Sequence, residues 1–465
     1  MNKKSETTSQ KPETGKKENV LEALLYNSDP KIFVKQFKAL EPEWNEPLDF
    51  VRQVASRIPL KLYEKFYDDL IPHSFFGLSC APSTLDLFPE QYQWWPCVQQ
   101  GWFISKSHKR STLDSLPVEV PLIGTKEEAW KQFRSALLNR DFEHCFTLTR
   151  GFLKEPTNRD FFRQQILTHA LRDTVYGGIK FIQLSKAWEM AEILDWENTD
   201  EILFPSLHLL ALGPCSDRLD KCINQPHIEK TYFNTSDEEK GPISPKDLQN
   251  LEALVLFSDN STAVLDSIVH LAEKGYGFNA INEALLLVAI QALDNTQMGR
   301  WIPALRAFLY TYLCRSWSQK VSAREKLQSL ELASLLIQDS SQKSRENDNN
   351  RVIVDLAERV CPMDPINTLR SLISHSDPYA SANTVYAILG MGGEAFKELT
   401  IALATLAVKN DARIGQGYDL LLVKACSDLY QRSNSKMRDK FLISCGFFLG
   451  RILKNYELFG AYGVK

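Results

Sequence analysis

Apolar residues recur at intervals of three and four along most of the chain, which is the spacing of one face of an α-helix. Alternation of the kind seen in strands is hard to find beyond Trp102 to Ser105. Short polar turns separate the apolar stretches, and many of these turns carry residues that cap helices. The pattern therefore predicts a nearly all-α protein.

Four segments of the chain begin alike, each with a short apolar helix that ends at an aspartate. They are residues 21–29, 133–141, 251–259 and 369–377. The last two copies align without a gap at an offset of 118 residues, so that Asp259 matches Asp377. Self-similarity at a fixed period marks a stacked architecture. The sequence predicts an all-α stack of about four helical repeat units of roughly 115 residues each.

The expected organisation follows from these copies and from changes in composition. We expect a disordered tail at 1–18, followed by unit 1 at 19–124, unit 2 at 125–243, unit 3 at 244–363 and unit 4 at 364–465. Residues 80–124 of unit 1 are rich in proline and tryptophan, which predicts a long ordered loop. The polar stretches 234–245 and 339–351 are expected to be disordered.

The recurring residues suit the ends of helices. An aspartate before a helix accepts hydrogen bonds from its free N–H groups; the candidates are Asp29, Asp141, Asp259 and Asp377. Gly275 and Gly393 are expected to close helices in the left-handed conformation. Other helix starts are predicted by cap signals, namely Thr125 with Glu128, Ser322 with Glu325, Ser244-Pro245 and Asp364-Pro365. These roles explain the repetition without any chemistry.

Composition narrows the class of protein. The net charge is -4 over 465 residues, so no overall basic field attracts nucleic acid. The nine cysteines include no CxxC pair, which is typical of reduced thiols and predicts a cytoplasmic location. Residues 1–17 are polar, so no secretory signal is expected. The longest apolar run, Leu442 to Gly450, is far short of the roughly 20 residues that span a bilayer, so no membrane insertion is expected.

Histidine and carboxylate side chains supply one candidate site for catalysis or for a metal, made of His169, Asp173 and His208 in unit 2. His169 and Asp173 are four residues apart and share a helix face. A carboxylate there can ligate a metal or orient the imidazole; the alternative is an ordinary pair on a helix surface. No cofactor is predicted, and a transition metal follows only if these three residues form a site. His270 lies on an apolar face and is expected in the core.

Three tryptophans in the 80–124 region admit two interpretations. Trp94, Trp95 and Trp102 are candidates for a partner-binding surface, since exposed tryptophan clusters are rare without a function. Alternatively, they fill the gap between the first two units.

One stretch of unit 2 resembles a known family. Residues 169–189 carry a histidine, then Gly-Gly, then Lys-Ala-Trp-Glu, and residues 203–207 read Leu-Phe-Pro-Ser-Leu. This pattern is similar to the helical region found with Rieske-type iron–sulfur proteins and in questin-oxidase-like proteins. The resemblance implies a helical fold and an oxidative site that uses His169. Two features depart from it: Gly178 stands where the family has a further histidine, and the CxH and CxxH cluster motif is absent.

Two classes of function remain. The first is a cytoplasmic helical-repeat protein that acts as a partner-binding or accessory module, because repeats stack into extended surfaces. The alternative is an oxygenase-like enzyme with a histidine/carboxylate site in a pocket between helical units. The sequence leaves open both the binding of a protein partner and the formation of a homo-oligomer, whereas a nucleic-acid partner is not expected.

Overall fold

All regular structure in the described chain is helical. The computed structural model describes residues 14–26, 29–57, 73–107, 121–216, 241–297, 299–345, 361–452, 454 and 456–463. Within these residues there are 22 α-helices, a few 3₁₀ turns and one isolated bridge between Asn410 and Lys454, but no strand. The all-α prediction is confirmed. We refer to residues 14–107, 121–216, 241–345 and 361–463 as segments I, II, III and IV.

The first two segments contain five helices each. Those of segment I are α1 (Thr14–Leu25), α2 (Pro30–Leu40), α3 (Pro47–Ala55), α4 (His73–Cys80) and α5 (Trp94–Lys106). Those of segment II are α6 (Lys126–Leu138), α7 (Phe142–Leu153), α8 (Pro156–Arg172), α9 (Val175–Ile193) and α10 (Thr199–Leu212). In segment II, α7 packs between α6 and α10, and α9 packs between α8 and α10.

The last two segments continue the same style of packing. The helices of segment III are α11 (Pro245–Phe257), α12 (Ser261–Glu273), α13 (Phe278–Asp294), α14 (Ile302–Trp317) and α15 (Ala323–Arg345). Those of segment IV are α16 (Pro365–Ser374), α17 (Pro378–Leu389), α18 (Gly393–Val408), α19 (Ala412–Gly415), α20 (Asp419–Arg432), α21 (Asp439–Leu449) and α22 (Tyr456–Tyr462). In both segments the third helix packs against the next long helix.

Three of the four predicted aspartate caps are confirmed. The carboxylates of Asp29, Asp141 and Asp377 accept backbone N–H groups at the starts of α2, α7 and α17. The prediction for Asp259 is wrong. Its neighbour Asn260 caps α12 by accepting the N–H of Ala263 at 3.2 Å, while Asp259 accepts the Gln342 amide. Two good capping residues stand side by side here, and the helix begins one position later than the repeat pattern suggests.

The other predicted helix ends are largely confirmed. Reciprocal capping-box hydrogen bonds join the Thr125–Glu128 and Ser322–Glu325 pairs, and Ser244 and Asp364 cap the proline starts of α11 and α16. Gly275 has a φ of 89°, as expected for a residue that closes α12. The prediction for Gly393 is wrong, because it begins α18. The left-handed residue is its neighbour Gly392, with a φ of 98°.

The prediction of a long loop at 80–124 is wrong for much of its length. Residues 94–106 form α5, and 3₁₀ turns cover 82–87 and 90–92. Pro96 is tolerated because it sits in the first turn of the helix, where its missing N–H has no intrahelical acceptor. The same helix contains Trp102 to Ser105, which are therefore not a strand. Residues 108–120 lie outside the described chain.

Two stretches expected to be disordered are partly helical. α1 begins at Thr14, inside the expected tail, and α15 continues to Arg345, inside the expected disordered stretch 339–351. The remaining parts of these predictions, at 1–13, 234–240 and 346–351, fall outside the described residues. None of the helices in the described part of the chain combines the length and apolarity that a membrane crossing needs.

The first and last segments pack against each other. The side-chain amide of Gln99 in α5 donates to the carbonyls of Ala407 and Asn410, both at 3.1 Å. α22 packs against α2, where the Tyr462 hydroxyl donates to Glu41 at 3.0 Å. In the interior, α4 contacts α9, α9 contacts α14, and α14 contacts α20. The first and last segments are therefore neighbours in the structure.

Candidate functional site

The carboxylate of Asp173 is held by its own surroundings. One oxygen accepts the Lys180 ammonium at 2.7 Å, and the other accepts the N–H groups of Val175 at 3.2 Å and Ser216 at 3.0 Å. The Lys180 side chain is fully buried and also donates to the carbonyl of Leu210 at 3.4 Å. Asp173 thus serves as the counter-ion of a buried lysine and organises the turn between α8 and α9.

His169 lies in the last turn of α8 in a basic environment, and Asp173 follows the helix as an extended C-cap residue, so the prediction that the two share a helix face is wrong. Burial lowers the pKa of the imidazole to about 4; the nearby Arg134, Lys180 and Arg172 act in the same direction, and Asp173 opposes them. The ring is therefore neutral at physiological pH. The surrounding cations repel a metal ion, which weakens His169 as a metal ligand.

His208 belongs to an aromatic cluster. Its ring meets the edge of Phe142 at 4.9 Å between centroids and stacks on Phe204 at 6.0 Å, and burial lowers its pKa. The described residues, which include His169, Asp173 and His208, contain no group of three His, Cys, Asp or Glu side chains that can hold a metal. Within the described chain, these three residues are therefore not part of such a group.

The other described histidines belong to no metal-ligand group. His270 is exposed on α12, so its expected place in the core is wrong. His73 is buried at the start of α4. His108 and His227 lie outside the described residues.

The tryptophans of α5 pack against residues of segment I, and the ring of Trp95 also lies 6.4 Å from that of Phe459 in segment IV. Trp95 and Trp102 are buried, and Trp94 is half-buried. The ring of Trp102 contacts Phe33 at 5.4 Å, and the ring of Trp94 lies 5.8 Å from that of Trp44. These contacts lie within segment I and with segment IV, whereas the packing interpretation placed the tryptophans between the first two units; the partner-binding surface stays a prediction.

A different polar site lies where helices of segments II, III and IV converge. Arg306, in α14, is only 7% exposed. Its Nε donates to the Tyr418 hydroxyl at 3.2 Å, Nη1 to the carbonyl of Tyr176 at 3.0 Å, and Nη2 to the Gln416 side chain at 2.8 Å. We call Tyr176, Arg306, Gln416 and Tyr418 the Arg306 junction.

Two turns of unusual backbone conformation supply the partners of Arg306. Tyr176, Gly177 and Gly178 are consecutive left-handed residues at the start of α9, and Gln416 has a φ of 51°. Glycine is needed at 178, because a Cβ there would lie 2.3 Å from the Tyr310 ring. Left-handed residues other than glycine cost about 1–3 kcal/mol each and concentrate at functional sites.

Segment I closes the junction from the opposite side. Gly77 of α4 packs directly on Gly417, where an added Cβ would lie 2.6 Å from the Gly77 Cα. The rings of Phe76 and Tyr418 are 4.7 Å apart. All four segments therefore contribute to the surroundings of Arg306.

The charge of the Arg306 junction is positive. Among the described residues Arg306 forms no ion pair, and only neutral groups accept its N–H groups. Burial, reinforced by Arg306, lowers the pKa of His73 well below its usual value, so this neighbour is neutral. Burial raises the pKa of Tyr418 against the effect of Arg306. A guanidinium cannot release its charge as a proton, so the junction is a buried positive centre.

The sequence reasoning missed this site because its members are far apart along the chain. Gln416 and Tyr176 are separated from Arg306 by 110 and 130 residues. The Gly177-Gly178 pair, which interrupts a helical pattern, is the local signal that marks one side of it. Comparison with protein-family models, with curated proteins and with solved structures found no significant match for this chain, and the resemblance of residues 169–207 to Rieske-associated and questin-oxidase-like helices stays a prediction.

Proposed function

We propose that this chain is a cytoplasmic helical-repeat binding protein and that its ligand at the Arg306 junction is a small anion. The observation that carries the proposal is the burial of Arg306 with no carboxylate partner in the described residues. Buried charges in proteins are paired, because an uncompensated one is costly. The eight described cysteines are unpaired thiols, which supports a reducing compartment.

Helix positions in segments III and IV support the proposed repeat. α14 begins at Ile302 and α20 at Asp419, one position short of the 118-residue offset of the sequence alignment. Gly299 and Gly417, which match at that offset, both have left-handed backbones, with φ of 84° and 77°. Four units of this kind, closed by contacts between the first and last, are the architecture we propose.

The same alignment provides an internal reference for Arg306. Its match in segment IV is Lys424, which forms ion pairs with Asp86 at 2.7 Å and Asp428 at 3.2 Å. The corresponding residue of segment II, Lys186, pairs with Glu189. Of these three basic residues, all of them described, Arg306 alone lacks a carboxylate. We infer that an anion from outside the chain takes that place.

The geometry of Arg306 suggests the chemistry of the ligand. A guanidinium has five N–H groups, of which three have acceptors in the chain, so two are available to an anion. Planar or tetrahedral oxyanions, such as carboxylates and phosphates, suit this fork. Tyr176 is 42% exposed and Gln416 is half-buried, so the approach to the guanidinium lies on their side.

A ligand at this position links segments of the chain. Arg306 bonds to Tyr176 of segment II and to Gln416 and Tyr418 of segment IV. An anion that binds Arg306 is therefore coupled to the arrangement of three segments. We propose that it sets the surface that the protein offers to a partner, in keeping with an accessory role. The oxygenase alternative has no support from the contacts of His169, Asp173 and His208.

Isothermal titration of the whole chain tests the proposal. Inorganic phosphate and succinate are titrated at constant ionic strength into the wild type and into Arg306→Met, Arg306→Lys and Lys424→Met. We expect saturable binding of at least one of the two anions, at least about tenfold weaker in Arg306→Met, which corresponds to about 1.4 kcal/mol. Arg306→Lys keeps the charge but loses the fork, so its affinity should be intermediate.

Lys424→Met is the matched control, because it removes a cation that already has carboxylate partners. Its affinity should equal that of the wild type. Equal binding by wild type and a folded Arg306→Met would refute the proposed site, as would equal losses in Arg306→Met and Lys424→Met. Melting curves establish that each variant is folded.

A further inference from the structure

Three sulfur-bearing side chains occupy the surface at the start of segment IV. The thiol sulfur of Cys361 lies 3.5 Å from the thioether sulfur of Met391. Both residues are exposed, and Met363, two residues after Cys361, is fully exposed. Methionine is normally buried in packing roles. A thiol and two thioethers on open surface are a set of soft metal ligands.

The distance between the two sulfurs fits joint coordination of one ion. With metal–sulfur bonds of about 2.3 Å, a separation of 3.5 Å corresponds to an angle of roughly 100° at the metal. That angle belongs to a three- or four-coordinate centre and requires a further ligand. Met363 supplies a third sulfur close to Cys361 in sequence, and Pro362 between them restricts the backbone.

The described surroundings of Met391 leave room for an ion. Gly392 and Gly393 follow Met391, and no atom lies within 4 Å of the place where a Cβ would stand on either. The carboxylate of Asp364, next to Met363, already accepts the backbone N–H of Asn367 at 3.2 Å and the Asn367 side-chain amide at 2.6 Å. The donor atoms that the described contacts bring together here are the sulfurs of Cys361 and Met391.

We propose that Cys361, Met363 and Met391 form a surface binding site for a soft monovalent metal ion, namely Cu(I). Thiolate and thioether ligands select Cu(I) over the harder divalent ions. On binding, the Cys361 thiol gives up its proton and its sulfur forms the bond to the metal, so one proton is released per ion. The site shares no residue with the Arg306 junction and does not depend on the function proposed for it.

Anaerobic competition titration tests the assignment. The full chain is titrated with Cu(I) against a chromogenic Cu(I) chelator, and Ag(I) serves as a redox-inert second probe. We expect the wild type to bind one equivalent of Cu(I) that Cys361→Ser does not bind. The affinity for Cu(I) should fall at least about tenfold in Met391→Leu and in Met363→Leu. Leucine keeps the size and apolarity of methionine, so these variants remove the sulfur and little else.

Two controls separate a built site from general thiol binding. Cys215→Ser removes another exposed thiol, and Met437→Leu removes another exposed methionine; both should bind as the wild type does. Affinity should rise with pH, because a proton is released. The proposal is overturned if Cys361→Ser still binds one equivalent of Cu(I), or if the two leucine variants bind Cu(I) as tightly as the wild type. It is also overturned if Zn(II) binds the site as tightly as Cu(I).

Discussion

Arg306 and Lys424 occupy matching positions in helices α14 and α20, and their surroundings differ in one respect. Lys424 is partly exposed and contacts two carboxylates, Asp86 and Asp428; these raise its pKa despite the opposing effect of burial. Arg306 is more deeply buried, and its hydrogen-bond acceptors among the described residues are a carbonyl, an amide and a hydroxyl. The comparison teaches that a matching position in the sequence alignment does not fix the role of a basic residue. Its counter-charge does.

Other buried charges in the molecule show how such groups are normally accommodated. Lys180 is neutralised by Asp173 at 2.7 Å. Glu331, in α15, is 1% exposed and one of its oxygens has no hydrogen-bond partner, but burial raises its pKa to about 7, so the carboxyl can hold a proton. Arg306 has no carboxylate partner among the described residues, and its charge is permanent. We propose that an external anion compensates it.

Breaking the best-paired cation should have the largest effect. Asp173→Asn leaves Lys180 buried without its counter-ion and should lower the free energy of unfolding by about 3–5 kcal/mol. Urea denaturation measures it. The double variant Asp173→Leu, Lys180→Met removes both charges and should be less destabilised than the single one. A cost of about 1 kcal/mol or less for Asp173→Asn would show that the pair is not a true buried ion pair.

Glu331→Gln should stabilise the protein at high pH. The carboxyl has a folded pKa of about 7 against an ordinary value of 4.5. Its stabilising contribution is complete below pH 4.5 and is lost as the pH rises through 7, since the folded state must then hold an unpaired charge. The difference in unfolding free energy between Glu331→Gln and wild type should increase by about 3 kcal/mol from pH 4.5 to pH 8. A pH-independent difference would contradict this account.

An uncharged cap provides a smaller, local effect for comparison. Asn260→Ala removes the cap of α12 and should cost about 1 kcal/mol, whereas Asp259→Ala should cost a few tenths. Denaturation of the two variants side by side decides between the observed cap and the one that the repeat pattern predicts. A larger loss in Asp259→Ala would favour the aspartate as the true cap.

The smallest effect is expected at Lys424. Its partner Asp86 is largely solvated, with a side chain 63% exposed, so water can replace the lysine. Lys424→Met should therefore change the free energy of unfolding by about 1 kcal/mol or less, as surface ion pairs do. A loss of unfolding free energy comparable to that of Asp173→Asn would mean that Lys424 depends on its carboxylates as strongly as Lys180 does. Lys424 would then no longer serve as an example of a weakly coupled ion pair.

Local signals predicted helix starts well. The caps at Asp29, Asp141 and Asp377 and the Thr125 capping box depend on neighbouring residues, so the sequence displays them directly. The helix at 94–106 was missed because proline and tryptophan suggested a loop, although Pro96 stands in the first turn. At Asp259 and Asn260 both residues are competent caps, and sequence alone does not choose between them.

The Arg306 junction could not be predicted from the sequence, for a different reason. The hydrogen bonds of Arg306 depend on how three segments pack, and Tyr176 and Gln416 reach it through left-handed turns that no periodicity predicts. Spacing on one helix singles out His169 and Asp173. The sequence did not reveal that Lys180 of α9 forms an ion pair with the Asp173 carboxylate.

Anion-dependent stabilisation tests the central claim most directly. The melting temperature of the wild type, Arg306→Met and Lys424→Met is measured while chloride is replaced by phosphate or succinate at constant ionic strength. A ligand at about 100 times its Kd stabilises the folded state by about 2.7 kcal/mol. The account predicts a saturating rise for the wild type and for Lys424→Met and none for Arg306→Met. The same rise in all three proteins, or no rise in the wild type, would contradict it.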